Sequence, residues 1–201
     1  MHREASTKFN VLAKGKTIQE YTNEELINNI ITQTDLVTKE ELIEFIDNYD
    51  LDLIEELDGA VDSLYVGVHL FDLMSEVKRR VANGVASQED FKTLPMRRIN
   101  FIMKLCNFVF ENLPLDRGED GELNYDLVEE ASKRIIENNL SKFTTDQDDF
   151  EHWKAPEGAV ATQREFEGET YYFFSQDGKV KKQRDFVPVQ LGDFLEKFNG
   201  Y

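Results

Sequence analysis

Apolar residues recur at helical spacing over most of the first two thirds of the chain. One apolar stripe follows Thr22, which together with Glu25 has the spacing of a capping box at a helix N-terminus. The same pattern, Thr38 with Glu41, precedes a second apolar stripe. Both patterns predict that a helix begins, one near residue 22 and the other near residue 38.

The longest apolar stripe begins near Asp52 and continues to about Val81, and it predicts a single long helix. Shorter stripes predict two more helices, at 96–112 and 125–138. The polar segments between them, 83–95 and 116–124, are predicted to be loops.

The two ends of the chain differ from this helical pattern. Residues 1–20 are polar and mixed, and they are predicted to form an arm that packs through Phe9, Val11 and Leu12. The segment after Phe143 contains aromatic residues followed by Gln-Asp-Gly at 176–178, which predicts a β-hairpin.

The pattern as a whole therefore predicts a mainly α protein with a small C-terminal β-hairpin. We expect a single domain overall, in which a helical body at 1–142 includes the N-terminal arm. An α/β tail at 143–201 is expected to pack on that body and to close with a short amphipathic segment at 191–198.

Charge narrows the possible partners. The chain carries 40 acidic and 23 basic residues, for a net charge of −17. That charge repels nucleic acids and anionic membranes, so neither is expected as a partner. The single cysteine, Cys106, lies in an apolar run and is expected to be a buried thiol in a reducing compartment, which favours the cytoplasm. No apolar run reaches the length of about 18 residues that a membrane-spanning helix requires.

An acidic stripe on the long predicted helix carries the main chemical signal. Asp58, Asp62, Tyr65 and His69 fall at i, i+4, i+7 and i+11, so they share one face, which apolar residues border. Two carboxylates beside an apolar surface are costly to bury without a counter-charge, and a divalent cation supplies one.

The preceding predicted helix offers a second acidic pair, Glu41 and Glu44, at i and i+3. If the two helices pack antiparallel, the two pairs assemble an oxygen-rich site for Mg²⁺ or Mn²⁺. The pair has little weight alone, because acidic pairs at this spacing are common by chance in so acidic a chain. Glu41 is also explained as the capping partner of Thr38, and Asp58 as a first-turn helix residue.

The order of these pieces resembles the all-α NTP pyrophosphohydrolase superfamily, which includes MazG-like enzymes, dimeric dUTPases and phosphoribosyl-ATP pyrophosphohydrolases. That superfamily carries E-x-x-E on one helix and E-x-x-D on the next, with the last Asp followed by an apolar run. Glu41 and Glu44 in EELIE match the first pair, and Asp62 in DSLYV matches the final Asp.

One position departs from the superfamily pattern. Gly59 stands three residues before Asp62, where the pattern has Glu. Asp58 lies on the same face and is assigned as the third ligand, with Glu55 as the alternative. The metal ligands that the resemblance implies are Glu41, Glu44, Asp58 and Asp62.

The C-terminal third resembles phage-type MazG-like proteins in its order of short motifs, NNLSK at 138–142, GKVKK at 178–182 and DFVPV at 185–189. This part of the resemblance implies that Asn139 contacts the base or sugar of a nucleotide and that Lys142 contacts a phosphate.

The resemblance implies an enzyme that cleaves a (d)NTP to (d)NMP and pyrophosphate with Mg²⁺ or Mn²⁺, with Glu41 or Glu44 as general base. The alternative is a non-enzymatic acidic helical protein that binds or inhibits a partner. We also expect a homodimer or a dimer of dimers. One side of the long helix is expected to face the core with Val61, Leu64, Val68 and Phe71, while Tyr65 and His69 border the site. The opposite side is expected to need a partner surface for Leu57, Leu70, Leu73 and Met74.

Overall fold

The fold is described from a computed structural model, over residues 2–49, 51–113, 115, 117, 121, 122 and 124–197. This part of the chain is mainly helical and carries one small antiparallel sheet near the C-terminus. Its α-helices are α1 (His2–Lys14), α2 (Asn23–Leu36), α3 (Leu42–Asn48), α4 (Leu53–Ala82), α5 (Met96–Glu111), α6 (Tyr125–Leu140) and α7 (Gln147–His152). Much of the loop predicted at 116–124, and Phe198 of the last predicted segment, lie outside the described residues.

Helix α4 is the central element and matches the predicted long helix. It begins after Asp52, whose carboxylate accepts hydrogen bonds from the backbone N–H groups of Ile54 and Glu55. It contacts α1, α2, α3, α5 and α6, so it lies at the centre of the main hydrophobic core. Cys106 on α5 is buried against it, as the sequence predicted.

Helices α2 and α3 pack against α4 in the antiparallel direction, as predicted. Near the start of α2, the guanidinium of Arg80 donates to the amide oxygen of Asn23 at 2.9 Å. Further along α2, the Gln33 amide donates to the carbonyl of Val66 at 3.3 Å. Because the contact moves forward along α2 and backward along α4, α2 and α3 together form a helical hairpin with α4.

The predicted helix start at Thr38 is wrong. A π-helical turn, Val37–Glu41, joins α2 directly to α3, and the backbone N–H of Leu42 donates to the carbonyl of Val37. Thr38 does not cap this helix, because its hydroxyl donates back to the carbonyl of Thr34 at 2.5 Å. Glu41 consequently has no capping role and is available to the site.

The predicted N-terminal arm packs on the body through Phe9 and Leu12, and its residues 2–14 form helix α1. Leu12 is fully buried, and Phe9 packs edge-to-face against Tyr65 of α4 and against Phe143. The hydroxyl of Tyr65 donates to the carbonyl of Ala5 at 3.2 Å, which fixes α1 on α4.

The predicted hairpin is present but belongs to a sheet of three strands, β1 (Val160–Phe166), β2 (Glu169–Gln176) and β3 (Lys179–Lys181), in the order β1-β2-β3. Asp177 and Gly178 both have positive φ, which a two-residue hairpin turn requires. Strand β1 escaped prediction because it buries no side chain fully: four of its seven positions are exposed and the other three are half-buried. Phe173 of β2 packs against Leu12 and Phe143, so the sheet shares a cluster with α1.

The side of α4 that was expected to need a partner is buried within the chain. Leu57, Leu70 and Leu73 have no exposed surface, because α2, α3 and α5 cover them. Phe71, assigned to the core face, is instead 49% exposed. The homodimer stays a prediction, but an unpaired apolar face on α4 no longer supports it.

Within the described residues, no helix has both the length and the apolar character that crossing a membrane demands.

Candidate metal and phosphate site

Carboxylates from α3 and α4 meet where the two helices oppose each other. Among the described residues, Glu44, Glu55 and Asp58 can each place a carboxylate oxygen so that all three lie within 4.8 Å of one another. Glu44 comes from α3, and the other two lie about one turn apart on α4. Both alternatives for the third ligand therefore converge on the same partner.

Gly59 explains why the superfamily pattern fails at this position. A Cβ atom at residue 59 would lie 2.8 Å from the backbone nitrogen of Phe45 and 3.2 Å from its Cα. The backbones of α3 and α4 are too close here for any side chain, so a Glu cannot occupy the position. The acidic groups that reach Glu44 flank this contact, at residues 55 and 58.

A second group of polar side chains lies beside these carboxylates. The amide nitrogen of Asn139 on α6 donates to Asp62 at 2.9 Å, and Lys142 donates to the amide oxygen of Asn139 at 2.6 Å. Asp62 also acts electrostatically on Glu41, Glu44 and Asp58. All four predicted metal ligands and both predicted substrate-binding residues are thus brought together.

The carboxyl groups of the site lack enough counter-charge. Burial, reinforced by the charges of Asp62 and Glu44, raises the pKa of Glu41 to about 8. Burial and then Asp62 raise the pKa of Asp58 to about 7, and burial also raises the pKa of Glu44 and of Asp62. The protein by itself therefore favours neutral forms of groups that a bound cation would hold ionised.

Lys142 balances part of this charge. Burial and the neighbouring charge of Lys182 lower its pKa to about 8, while Asp62 and Glu41 oppose that shift. Its ammonium also lies over the ring of Phe9, at 5.6 Å from the centroid. Lys142 is therefore held between α1, α6 and the carboxylates.

A cleft of about 710 Å³ contains this group of side chains. Its polar lining includes Glu41, Glu44, Asp62, Asn139 and Lys142. Its less polar lining includes Phe9, Ile31, Leu36, Tyr65 and Val66. The volume falls within the range of small-molecule sites, and a lining that mixes apolar side chains with charged and amide groups is typical of them.

Tyr65 and His69 were both expected to border the site, and only Tyr65 does so. His69 lines a separate cavity of about 350 Å³ with residues of α1, including Arg3 and Thr7. Burial lowers the pKa of His69 to about 4, although the nearby Asp72 opposes the shift. Its place in the acidic stripe was a consequence of helical spacing alone.

Sequence reasoning did not assign Lys182 to the site. This residue follows β3 and lines the cleft together with Lys179 and Val180 of the hairpin. The available signal was the basic run GKVKK directly after the Asp-Gly turn, which the resemblance included without giving any of its residues a role.

Scans of the chain against models of protein families, against curated proteins and against solved structures gave no match. The chemistry of the cleft is therefore argued from its own residues and their geometry.

Proposed function

We propose that this protein is a Mg²⁺-dependent nucleoside triphosphate pyrophosphohydrolase, which cleaves a (d)NTP to (d)NMP and pyrophosphate. One observation supports this proposal above the others. Glu41, Glu44 and Asp62, three of the carboxylates that the motif pairs, line the same cleft as the partly buried Lys142. A polyanionic substrate needs positive charge for binding. The carboxylates can hold a divalent metal ion beside it, and the lysine supplies an ammonium group.

The residues present suit a hard divalent cation. Glu44, Glu55 and Asp58 offer only oxygen ligands, which Mg²⁺ and Mn²⁺ prefer, and their oxygens lie within 4.8 Å of one another. Burial raises the pKa of Asp58 and of Asp62, and a bound cation would oppose that shift by stabilising their ionised forms. We assign Glu44, Asp58 and Asp62 as ligands, with Glu55 as an additional one.

Glu41 differs from the other carboxylates in position and is assigned as the general base. It stands apart from the trio of Glu44, Glu55 and Asp58, and its strongest carboxylate neighbour is Asp62. This assignment separates Glu41 from Glu44, which their spacing in the sequence leaves equivalent.

The reaction follows from these roles. Glu41 takes a proton from a water molecule whose oxygen attacks the α-phosphorus, and the bond from that phosphorus to the bridging oxygen of the β-phosphate breaks. Bound Mg²⁺ supplies charge neutralisation on the phosphates and lowers the pKa of the water. Lys142 neutralises part of the charge that develops on the departing pyrophosphate.

Asn139 acts as a positioning residue in this proposal. Its side-chain amide donates to Asp62 and accepts from Lys142, so it fixes a carboxylate and an ammonium relative to each other. The expected contact of Asn139 with the base or sugar would have to use its remaining N–H group.

The decisive experiment measures pyrophosphate release from a panel of NTPs and dNTPs, with Mg²⁺ and with EDTA. We expect Mg²⁺-dependent release from at least one nucleotide. Asp62→Asn should abolish this release. Asp72→Asn is its matched control, because Asp72 is a carboxylate on the same helix, α4, that pairs with Arg3 outside the cleft. Wild-type protein that binds Mg²⁺ in calorimetry but hydrolyses no nucleotide would contradict the proposal and favour the non-enzymatic binding protein.

A further inference from the structure

The β2–β3 hairpin forms one wall of the cleft. Gly178, Lys179, Val180 and Lys182 line it opposite the helical residues. The tight turn at Asp177 and Gly178 pairs β3 antiparallel with β2, and Lys179 and Val180 of β3 line the cleft. The hairpin therefore contributes side chains to the same space as the carboxylates of α3 and α4.

Lys182 is close enough to the site to act on its charged groups. Its positive charge lowers the pKa of Glu44, Asp58 and Asp62 against the effect of burial. It also lowers the pKa of Lys142, which shows that the two ammonium groups repel each other. Two lysines from distant parts of the chain thus point into one cleft.

The hairpin is fixed to the helical body, so this arrangement does not depend on a free loop. Thr144, which follows α6, exchanges backbone hydrogen bonds of 3.0 and 2.7 Å with Tyr172 of β2. Phe143 packs edge-to-face on Phe173 with 5.0 Å between ring centroids. After β3, the ammonium of Lys182 lies over the ring of Phe186. Both lysines are therefore presented from anchored segments.

Two like charges held near each other are stabilised when one anion bridges them. The carboxylates of the site offset part of the repulsion, but they are themselves the groups that bind cations in the proposed function. Pyrophosphate carries charge on two linked phosphates, and each lysine offers three N–H donors. Its two phosphates match two separate ammonium groups better than a single phosphate does.

We propose that Lys142 and Lys182 together bind the two terminal phosphates of the substrate, so that the C-terminal hairpin is part of the active site. This inference rests on the proposed function for the identity of the substrate. It goes further in assigning Lys182 a role and in giving the sheet a function.

The test is calorimetric binding of inorganic pyrophosphate in Mg²⁺ buffer. We expect Lys182→Met and Lys142→Met each to weaken binding by about tenfold to a hundredfold, the usual effect of losing a charge-assisted contact. Lys181→Met is the matched control, because it removes the same charge from the neighbouring residue, which is not among those lining the cleft. Lys142→Gln, which removes the charge but keeps an N–H donor for the amide oxygen of Asn139, replaces Lys142→Met if thermal melting shows that the latter is unfolded.

Failure of this inference can be told apart from failure of the proposed function. If wild-type protein hydrolyses nucleotides while Lys182→Met binds pyrophosphate within twofold of Lys181→Met, the role of Lys182 is refuted and the hydrolase remains. If no nucleotide is hydrolysed but Lys182→Met weakens pyrophosphate binding as expected, the anion site stands and the hydrolase is refuted. Equal affinities together with no hydrolysis would overturn both.

Discussion

Replacement of Gly59 by Ala tests whether the contact between α3 and α4 builds the site. The new Cβ would lie 2.8 Å from the backbone nitrogen of Phe45, where about 3.5 Å is needed, so α3 must retreat by about 0.7 Å. The backbone of Phe45 cannot rotate away from the new Cβ as a side chain could. Overpacking of this kind therefore costs about 3 kcal/mol, the upper end of its range. Alanine returns about 1 kcal/mol through its higher helix propensity. We therefore expect a net loss of about 2 kcal/mol in the free energy of unfolding.

The same movement should impair the site. Glu44 adjoins the contact, so the retreat of α3 carries it away from Asp58 by more than a functional site tolerates, about 0.5 Å. We expect Mg²⁺-dependent pyrophosphate release to fall by about tenfold to a hundredfold.

Gly67→Ala on the same helix is the matched control for Gly59→Ala. Its Cβ would meet only the side chain of Cys106, with Sγ at 3.2 Å, and that side chain can adjust. We expect the stability of Gly67→Ala to stay within about 1 kcal/mol of wild type. Urea unfolding gives the stabilities, and the nucleotide assay gives the activities. If Gly59→Ala matches Gly67→Ala in both measurements, the close approach of the helices does not determine the site.

Three further changes test separate parts of the structure. Asp62→Asn should abolish pyrophosphate release, while its unfolding free energy without metal stays equal to or slightly above that of wild type, because burial already raises the pKa of this carboxyl. Mg²⁺ should raise the melting temperature of wild type but not of Asp62→Asn, and an equal rise in both would exclude Asp62 as a ligand. Burial lowers the pKa of His69 from 6.5 to about 4, so the unfolded state binds more protons between these values. Wild type should therefore lose up to about 3 kcal/mol relative to His69→Leu as the pH falls through this window, and parallel urea-derived stabilities would contradict the assignment. Arg80 is buried and paired with Glu76, so Arg80→Met should cost about 3 kcal/mol, whereas Arg79→Met, at the half-exposed partner of the same carboxylate, should cost about 1 kcal/mol. Similar losses of unfolding free energy for Arg80→Met and Arg79→Met in urea would show that the buried ion pair stabilises the fold no more than the half-exposed one.

The parts of the fold that were predictable are those whose local signals agree over many residues. Helix α4 repeats its apolar stripe over 30 residues, or about eight turns, and Asp52 supplies a cap at its start. The turn at Asp177 and Gly178 was predictable because few dipeptides adopt positive φ at both positions. The acidic pairs were found because helical spacing places them on common faces.

The missed features depend on contacts between distant residues. The pattern of Thr38 and Glu41 fits a helix cap and a helix interior equally well, and packing of α2 and α3 along the same α4 decides between them. No sequence pattern indicates that Lys182 lies near Lys142. The two come close only because β2 pairs through Tyr172 with Thr144, two residues after Lys142. The third ligand was ambiguous since the role of Gly59 appears only when α3 is in place.

The π-helical turn between α2 and α3 is equivalent to one residue inserted into a continuous helix. In an unbroken α-helix, the position four residues after the buried Val37 would continue the core face, and that position is Glu41. In the wider turn it is Leu42, 3% exposed, that continues the core face after Val37, and Phe45 follows on the same buried face. Regular α-helical winding of this same sequence would turn the acidic side chain into the core and carry Leu42 towards the cleft. Deleting one residue from 37–41 would instead leave Leu42 four residues after Val37, so the core face would be kept and only the extra position lost. An evolving chain can thus gain a residue on the cleft side by one insertion, without breaking the helix or moving the buried faces on either side of it.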